Sequence, residues 1–95
     1  MNEKIVIIGA GGRGFSEAVI ADLIRMQWAC ELVLVDIDPE ALDVIERLAT
    51  RMLAERPAPI TIQATCDRRE ALPDATVVIV TINVGGRGAW TQDVL

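Results

Sequence analysis

Apolar residues along the chain fall into short β-branched runs separated by longer stretches of helical spacing. Residues 4–8 read KIVII, a run closed by glycine that fits a strand buried on both faces. From Gly14 to about Gln27, Phe15, Ala18, Val19, Leu23 and Met26 recur at helical spacing, with Glu17, Asp22 and Arg25 on the opposite side. This predicts an amphipathic helix with that stripe turned inward. Residues 31–36 (ELVLVD) form a second apolar strand, after which Asp38 and Pro39 supply a cap and a first-turn proline. In the helix that follows, Leu42, Ile45, Leu48, Ala49, Met52 and Leu53 make one stripe, Asp43 and Arg47 are spaced for an ion pair, and Pro57 sets the end near Arg56. Residues 59–64 (PITIQA) read as a more polar strand nearer a sheet edge, and residues 67–72 as a short helical turn capped by Asp67. Residues 76–82 (TVVIVTI) are the fourth and most apolar strand, followed by the loop NVGGRG and the start of a helix at 89–95.

This alternation predicts an α/β fold: a partial Rossmann-like parallel sheet of four strands in the order 3-2-1-4, with right-handed crossovers and helices on both faces. The strand TVVIVTI would lie at one edge, where it lacks the charges and prolines that discourage pairing with other chains, so the isolated fragment is expected to self-associate or aggregate; a homo-oligomer is expected of the protein. No internal repeat, low-complexity segment or linker marks a second domain. Residues 1–95 read as the amino-terminal part of one nucleotide-binding domain.

Composition then narrows the partners. The 95 residues are 52% hydrophobic, enough for one small core. The formal net charge is −5, and the nine basic residues are scattered, which argues against nucleic acid. No apolar run approaches the roughly 20 residues needed to cross a bilayer, and no secretory leader is present, so a cytoplasmic protein without membrane contact is expected. Cys30 and Cys66 stand far apart in a chain without histidine, which leaves little material for a metal site and suggests two ordinary reduced thiols.

The chemical signal is the turn after the first strand. Residues 9–14 read GAGGRG, so Gly9, Gly11 and Gly14 satisfy G-x-G-x-x-G between a strand and a helix. On that pattern Gly9 permits the tight turn, Gly11 leaves room for a pyrophosphate, and Gly14 allows close helix–strand packing. Free amides of residues 9–14 and the helix dipole would then meet the phosphates. The expected cofactor-binding set is Gly9, Ala10, Gly11, Gly12, Arg13, Gly14 and Phe15 in the turn, with Asp36 and Ile37 after the second strand. Asp36 can accept hydrogen bonds from the adenosine ribose, which favours NAD, because no arginine follows it in DIDPEAL to compensate a 2′-phosphate. Asp38 is more simply the helix cap. Thr81, Asn83 and Gly85, with Gly86, would flank the cofactor at the switch point after the fourth strand, Asn83 through a hydrogen bond to ribose or substrate. Arg87 is as readily a solvated loop residue as an anion ligand, Trp28 and Trp90 read as packing residues, and Arg68 and Arg69 as a surface pair. FAD shares the fingerprint, and S-adenosylmethionine enzymes share the acid.

The segments KIVIIGAGGRGFSEAVIADLI, LVDIDPEAL, TCDRREAL and TINVGGRGAWTQD resemble the amino-terminal region of the family 4 glycoside hydrolases, the NAD- and metal-dependent α-glucosidases, α-galactosidases, α-glucuronidases and 6-phospho-glycosidases. The glycine turn is generic, whereas the DIDPEAL, DRREAL and VGGRGAW blocks together are more specific. Gly12 stands where family members usually carry a serine. The resemblance implies NAD as cofactor, a divalent metal (manganese) in the full-length enzyme, a glycoside as substrate, and a reaction that oxidises the sugar at C3, eliminates the aglycone and adds water. It carries no catalytic or metal-binding residue onto this chain, which by itself is expected to be an inactive fragment of a longer enzyme. Two other readings stay open at this point: a 2-hydroxy-acid dehydrogenase of the lactate and malate type, and a non-catalytic NAD-binding module.

Overall fold

The computed structural model describes residues 3–11 and 13–81, Arg13 by its backbone. The elements run β1 (Glu3–Ile8), α1 (Arg13–Met26), β2 (Cys30–Val35), α2 (Pro39–Glu55), β3 (Ile60–Thr65), α3 (Arg68–Ala71) and β4 (Val77–Val80). All four strands pair in parallel in the order β3-β2-β1-β4, with Ile5 opposite Leu32 on one side and opposite Val77 on the other. The expected topology is therefore the observed one, and each described element lies within a residue or two of its expected bounds. The loop at 83–88 and the helix expected at 89–95 lie outside the described residues.

Alternation along the central strands divides the core into two faces. Ile5, Ile7, Leu32 and Leu34 point towards α1 and α2, where they join Ile20, Leu23, Ile24, Leu42, Ile45 and Ala49 in the larger cluster. Val6, Val33 and Val35 point to the opposite face and meet Ala71 of α3. A strand buried on both sides cannot alternate with polar residues, which is why KIVII and ELVLV read as continuous apolar runs. At the β3 edge only one face is covered, and there Thr61 and Gln63 are exposed between half-buried Ile60, Ile62 and Ala64.

The ends of α2 follow from local chemistry. The Asp38 carboxylate accepts from the amides of Glu40 and Ala41, at 3.0 and 3.3 Å, and Pro39 takes the first helical position, where no amide is needed. Leu42, Ile45 and Ala49 are buried, and Arg47 pairs with Asp43 at 3.0 Å on the solvent side. That exposed pair contributes about 0.3–0.5 kcal/mol, far less than the buried stripe.

Helix α1 departs from expectation in its phase. Its buried residues are Ser16, Ile20, Leu23 and Ile24, whereas Phe15 is 47% and Met26 53% exposed. The expected stripe was rotated, because α1 carries apolar residues around most of its circumference and a polar residue, Ser16, occupies the core side. Ser16 is tolerated there because its hydroxyl donates to the Ala10 carbonyl at 2.7 Å. The helix closes with Gln27 at a positive φ of 55°, the Gln27 amide donating to the Ile24 carbonyl and the Trp28 amide to that of Leu23. The Gln27 side-chain amide also donates to the carbonyls of Ile24 and Pro57, tying this turn to the chain after α2.

Two outcomes are expected. Ile20→Ala should destabilise the domain by about 2–5 kcal/mol, while Phe15→Ala should stay within roughly 0.5 kcal/mol of the parent. Urea titration checks both, and the reverse order would mean that the α1 phase is wrong. Because Val77, Val78 and Val80 on β4 are 40%, 45% and 57% exposed, the isolated 95-residue chain should self-associate. Light scattering during size exclusion should show species above monomer mass that diminish on dilution.

Candidate functional site

The turn at 9–11 is held against the carboxyl ends of three strands. The amides of Gly9 and Ala10 both donate to the Val35 carbonyl, at 2.8 and 2.9 Å. The Gly11 amide donates to Asp36 Oδ2 at 2.7 Å, and the Thr81 hydroxyl donates to the Gly9 carbonyl at 2.9 Å. Gly9 has a φ of +86°, and a Cβ there would overlap the Thr81 carbonyl oxygen. A Cβ on Gly11 would lie 2.6 Å from Ala41 Cβ and 2.7 Å from Asp36 Oδ2. Both glycines are therefore required by protein atoms crowding the turn, a demand that stands beside the room for a pyrophosphate expected at Gly11. The role expected of Gly14 changes. A Cβ on Gly14 meets no described atom within 4 Å, so close helix–strand packing does not demand a glycine at that position.

These bonds also restrict where an anion can sit. The amides of Gly9, Ala10 and Gly11 already have acceptors within the protein, so they shape the turn. The donors left over belong to the first turn of α1, whose leading amides have no partner within the helix. Asp38 caps α2 and Asp67 caps α3, but no described side chain caps α1; the residue before it, Gly12, has no side chain to offer, and its first turn contains no acidic residue. An uncapped helix start carrying the positive end of the dipole favours a bound anion. Arg13, Gly14 and Phe15 stand at this start, and Ser16 steadies it by holding the Ala10 carbonyl.

Beside the turn, Asp36 is fixed at both oxygens. Oδ2 takes the Gly11 amide, and Oδ1 takes the Asp38 amide at 2.9 Å. Each carboxylate oxygen keeps a further lone pair, so the group can still accept from two hydroxyls of a diol. It borders a cleft of about 510 Å³ lined by Ile8, Gly9, Val35, Asp36 and Ile37 on one side and by residues 66–69 on the other. Ile37, expected in the site, is 90% exposed.

The far wall of this cleft was missed by sequence reasoning. From sequence these residues read as an ordinary thiol (Cys66), a helix cap (Asp67) and a surface pair (Arg68, Arg69), yet β3 lies next to β2 and brings its following loop across from Asp36. The strand order itself could have signalled this, since loops after neighbouring parallel strands emerge at the same end of the sheet. The cap reading holds: the Arg69 amide donates to Asp67 Oδ1 at 2.9 Å. Thr81 sits behind the turn as a lock on Gly9. Asn83 and Gly85, together with Gly86, Arg87 and Trp90, lie outside the described residues, and the side chain of Arg13 and all of Gly12 do too. Among the described residues no group of three or more histidine, cysteine, aspartate or glutamate side chains could hold a metal ion, and no helix is long and apolar enough to cross a membrane.

Fold and site together define a Rossmann-like half-sheet with an anion-favouring helix start beside an anchored carboxylate. Over residues 4–94 the chain matches the model of the family 4 glycosyl hydrolases, and it belongs to that family. It is 42% identical over 96 residues to an α-glucosidase of Erwinia rhapontici, the match covering 98% of this chain and 21% of the glucosidase. Among solved structures it is similar to a 6-phospho-α-glucosidase from gut microorganisms in complex with NAD and Mn2+, with a TM-score of 0.77 and 25% identity over 90% of this chain and 20% of that one. A malate dehydrogenase of Cryptosporidium parvum shares the fold, with a TM-score of 0.71 and 24% identity over 88% of this chain and 26% of its own. The chain thus spans about a fifth of the length of the glycosidases it matches.

The two thiols differ in a way that labelling can read. Burial pushes the Cys30 thiol up, with the nearby charge of Glu3 adding to the effect, whereas Cys66 is exposed in the cleft. A raised pKa lowers the thiolate fraction at any given pH, and burial blocks the reagent as well. In the folded chain at pH 8, a maleimide should modify Cys66 at least about tenfold faster than Cys30, with mass spectrometry assigning the site. Equal rates would contradict the burial of Cys30 at the start of β2.

Proposed function

We propose that this chain is the NAD-holding part of an NAD- and divalent-metal-dependent glycoside hydrolase. The observation that carries the reading is the start of α1, capped by no described side chain, next to Asp36, in a chain of the family 4 glycosyl hydrolases. A dinucleotide fits this set: the first-turn amides of α1 take the pyrophosphate, Asp36 takes the adenosine ribose hydroxyls, and the cleft beyond it remains for the base. Gly9, Ala10 and Gly11 contribute by shaping the turn, and Gly12, Arg13, Gly14 and Phe15 by presenting their amides. Thr81 keeps the turn seated, while Asn83 and Gly85 are proposed on the nicotinamide side at the switch point.

When bound, NAD supplies a hydride acceptor and donor for transient oxidation at C3 of the sugar, as family membership implies. The described residues orient the cofactor for that chemistry and contribute no general base. They also offer no metal centre, so the manganese expected in the complete enzyme is not assigned to them. The dehydrogenase likeness is one of fold alone, since it rests on 24% identity, and it does not compete with the family match. We place the protein in the cytoplasm, in keeping with its free cysteines, as a homo-oligomer acting on a glycoside.

Calorimetric titration with NAD and NADP tests the cofactor reading. NAD should bind, and NADP should bind more weakly because its 2′-phosphate meets the Asp36 carboxylate. Asp36→Ala should weaken NAD about 10- to 100-fold, the loss of charge-assisted hydrogen bonds to the ribose. Equal affinity for the two cofactors, or an unchanged Asp36→Ala variant, would sink the assignment of Asp36.

A further inference from the structure

Helices α1 and α2 lie side by side over one face of the sheet, and the seam between them stays open to solvent. Its wide end is a groove of about 790 Å³ lined by Gly14 and Glu17 of α1 and by Val44, Arg47, Leu48 and Arg51 of α2. The narrow end, about 180 Å³, runs past Ala21 and Met52. Two features of this seam have no use within the described fold. Val44 is an apolar side chain left 52% exposed on the groove wall. Gly14, which lines the same groove, leaves space that a Cβ would enter without meeting any described atom.

The charges beside this groove are ordered about Val44. Glu40, Val44, Arg47 and Arg51 follow one another at spacings of four, three and four residues, so they share one side of α2. Acid precedes the valine and base follows it. Arg47 is offset within the helix by Asp43, at 3.0 Å, which leaves Glu40 and Arg51 without an ion-pair partner among the described residues. Glu46 is half-buried on another side of the helix, and Glu55 stands at the far end of the seam, so neither joins this stripe. Such a stripe is complementary to its own reversed copy. With a twofold axis through Val44, residue 51 of one helix comes within about 4.5 Å, along the axis, of residue 40 of the other, which two long side chains span easily.

We propose that the α1/α2 face is the docking surface for a second copy of this chain, α2 against α2 in antiparallel, with Val44 on the twofold axis and Glu40 paired to the partner's Arg51 on either side of it. The proposal rests on the homo-oligomer reading above and assigns it a surface separate from the β4 edge. The open space at Gly14 receives the ridge formed by the partner's Val44. The 17 residues of α2 extend about 25 Å, and two adjacent helices present a layer about 20 Å wide, so each copy buries about 500 Å² and the pair about 1,000 Å². That area stands at the threshold of a specific interface, which makes the dimer reversible and leaves the two ion pairs to set its register.

The test is sedimentation of the 95-residue chain carrying Val78→Lys, which charges the β4 edge and so removes strand pairing from the readout. This chain should still dimerise reversibly. Glu40→Arg and Arg51→Glu should each raise its half-dissociation concentration at least about tenfold, because like charges then face each other across the axis. An equimolar mixture of the two variants should regain the association of the unswapped chain, since every charge again meets its opposite. Single variants that associate undiminished, or a mixture that regains nothing, would overturn the proposal. In the chain with β4 unaltered, Val44→Cys combined with Cys66→Ser should form an intermolecular disulfide on oxidation, whereas Thr50→Cys in the same background should not. Failure of the Val44→Cys disulfide, or equal yield from Thr50→Cys, counts against the docking geometry. Slow maleimide labelling of Val44→Cys in a monomeric chain would mean that the chain's own residues fill the groove, and would also overturn the proposal. If Val78→Lys alone abolishes association, the homo-oligomer forms through β4 and only this surface fails. If the parent chain is monomeric at every concentration, the homo-oligomer reading fails and this surface with it.

Discussion

The arrangement depends on how closely the turn at 9–11 approaches the ends of β2 and β4. A single carbonyl, that of Val35, receives two consecutive amides, and the next amide goes to Asp36. The two bonds to Val35 fix the turn to its neighbour strand through backbone atoms alone, and the next donors along the chain are those of the first turn of α1. The Thr81 hydroxyl on the Gly9 carbonyl closes the turn from the β4 side. On the proposed reading, the anion preference of this site is a by-product of packing: the amides of Gly9, Ala10 and Gly11 are already satisfied within the protein, and the leading amides of α1 have no partner within the helix.

On the proposed reading, Asp36 links structure to recognition. Half of its capacity is used within the protein, by the Gly11 and Asp38 amides, and this use sets its rotamer before any ligand arrives. A carboxylate already oriented loses little side-chain freedom when hydroxyl groups come to it, the usual advantage of preorganisation. The cost of its position falls on Gly11, where any side chain would collide with Asp36 and Ala41. Glycine turn and acid, 25 residues apart, are parts of one contact.

Much of this was readable from residue order. The apolar runs KIVII and ELVLV revealed strands covered on both faces, and Asp38-Pro39 marked the start of α2, because these signals are local. The phase of α1 was not readable, since Phe15, Ala18 and Met26 are as apolar as Ile20 and Ile24, and the burial of Ser16 depends on a carbonyl that only the folded turn supplies. The cleft wall at residues 66–69 was hidden for another reason. It belongs to the site through the adjacency of β2 and β3, and periodicity within one segment carries no trace of a neighbour. The polar residues of a loop look solvated until the topology supplies the opposite wall.

The central position of β1 bears on how the chain is made. Its partners are β2, reached after one helix, and β4, reached only after most of the described chain, so that Lys4 and Thr76 exchange hydrogen bonds across 72 positions. On a ribosome, the first strand therefore emerges with one edge bare and waits for the last described strand to complete it. Such long-range parallel pairing is slow, because loop closure must precede any gain from the contact. During that interval, an apolar strand such as β1 is a natural target for chaperones, and nascent-chain survival would depend on translation speed as well as on final stability.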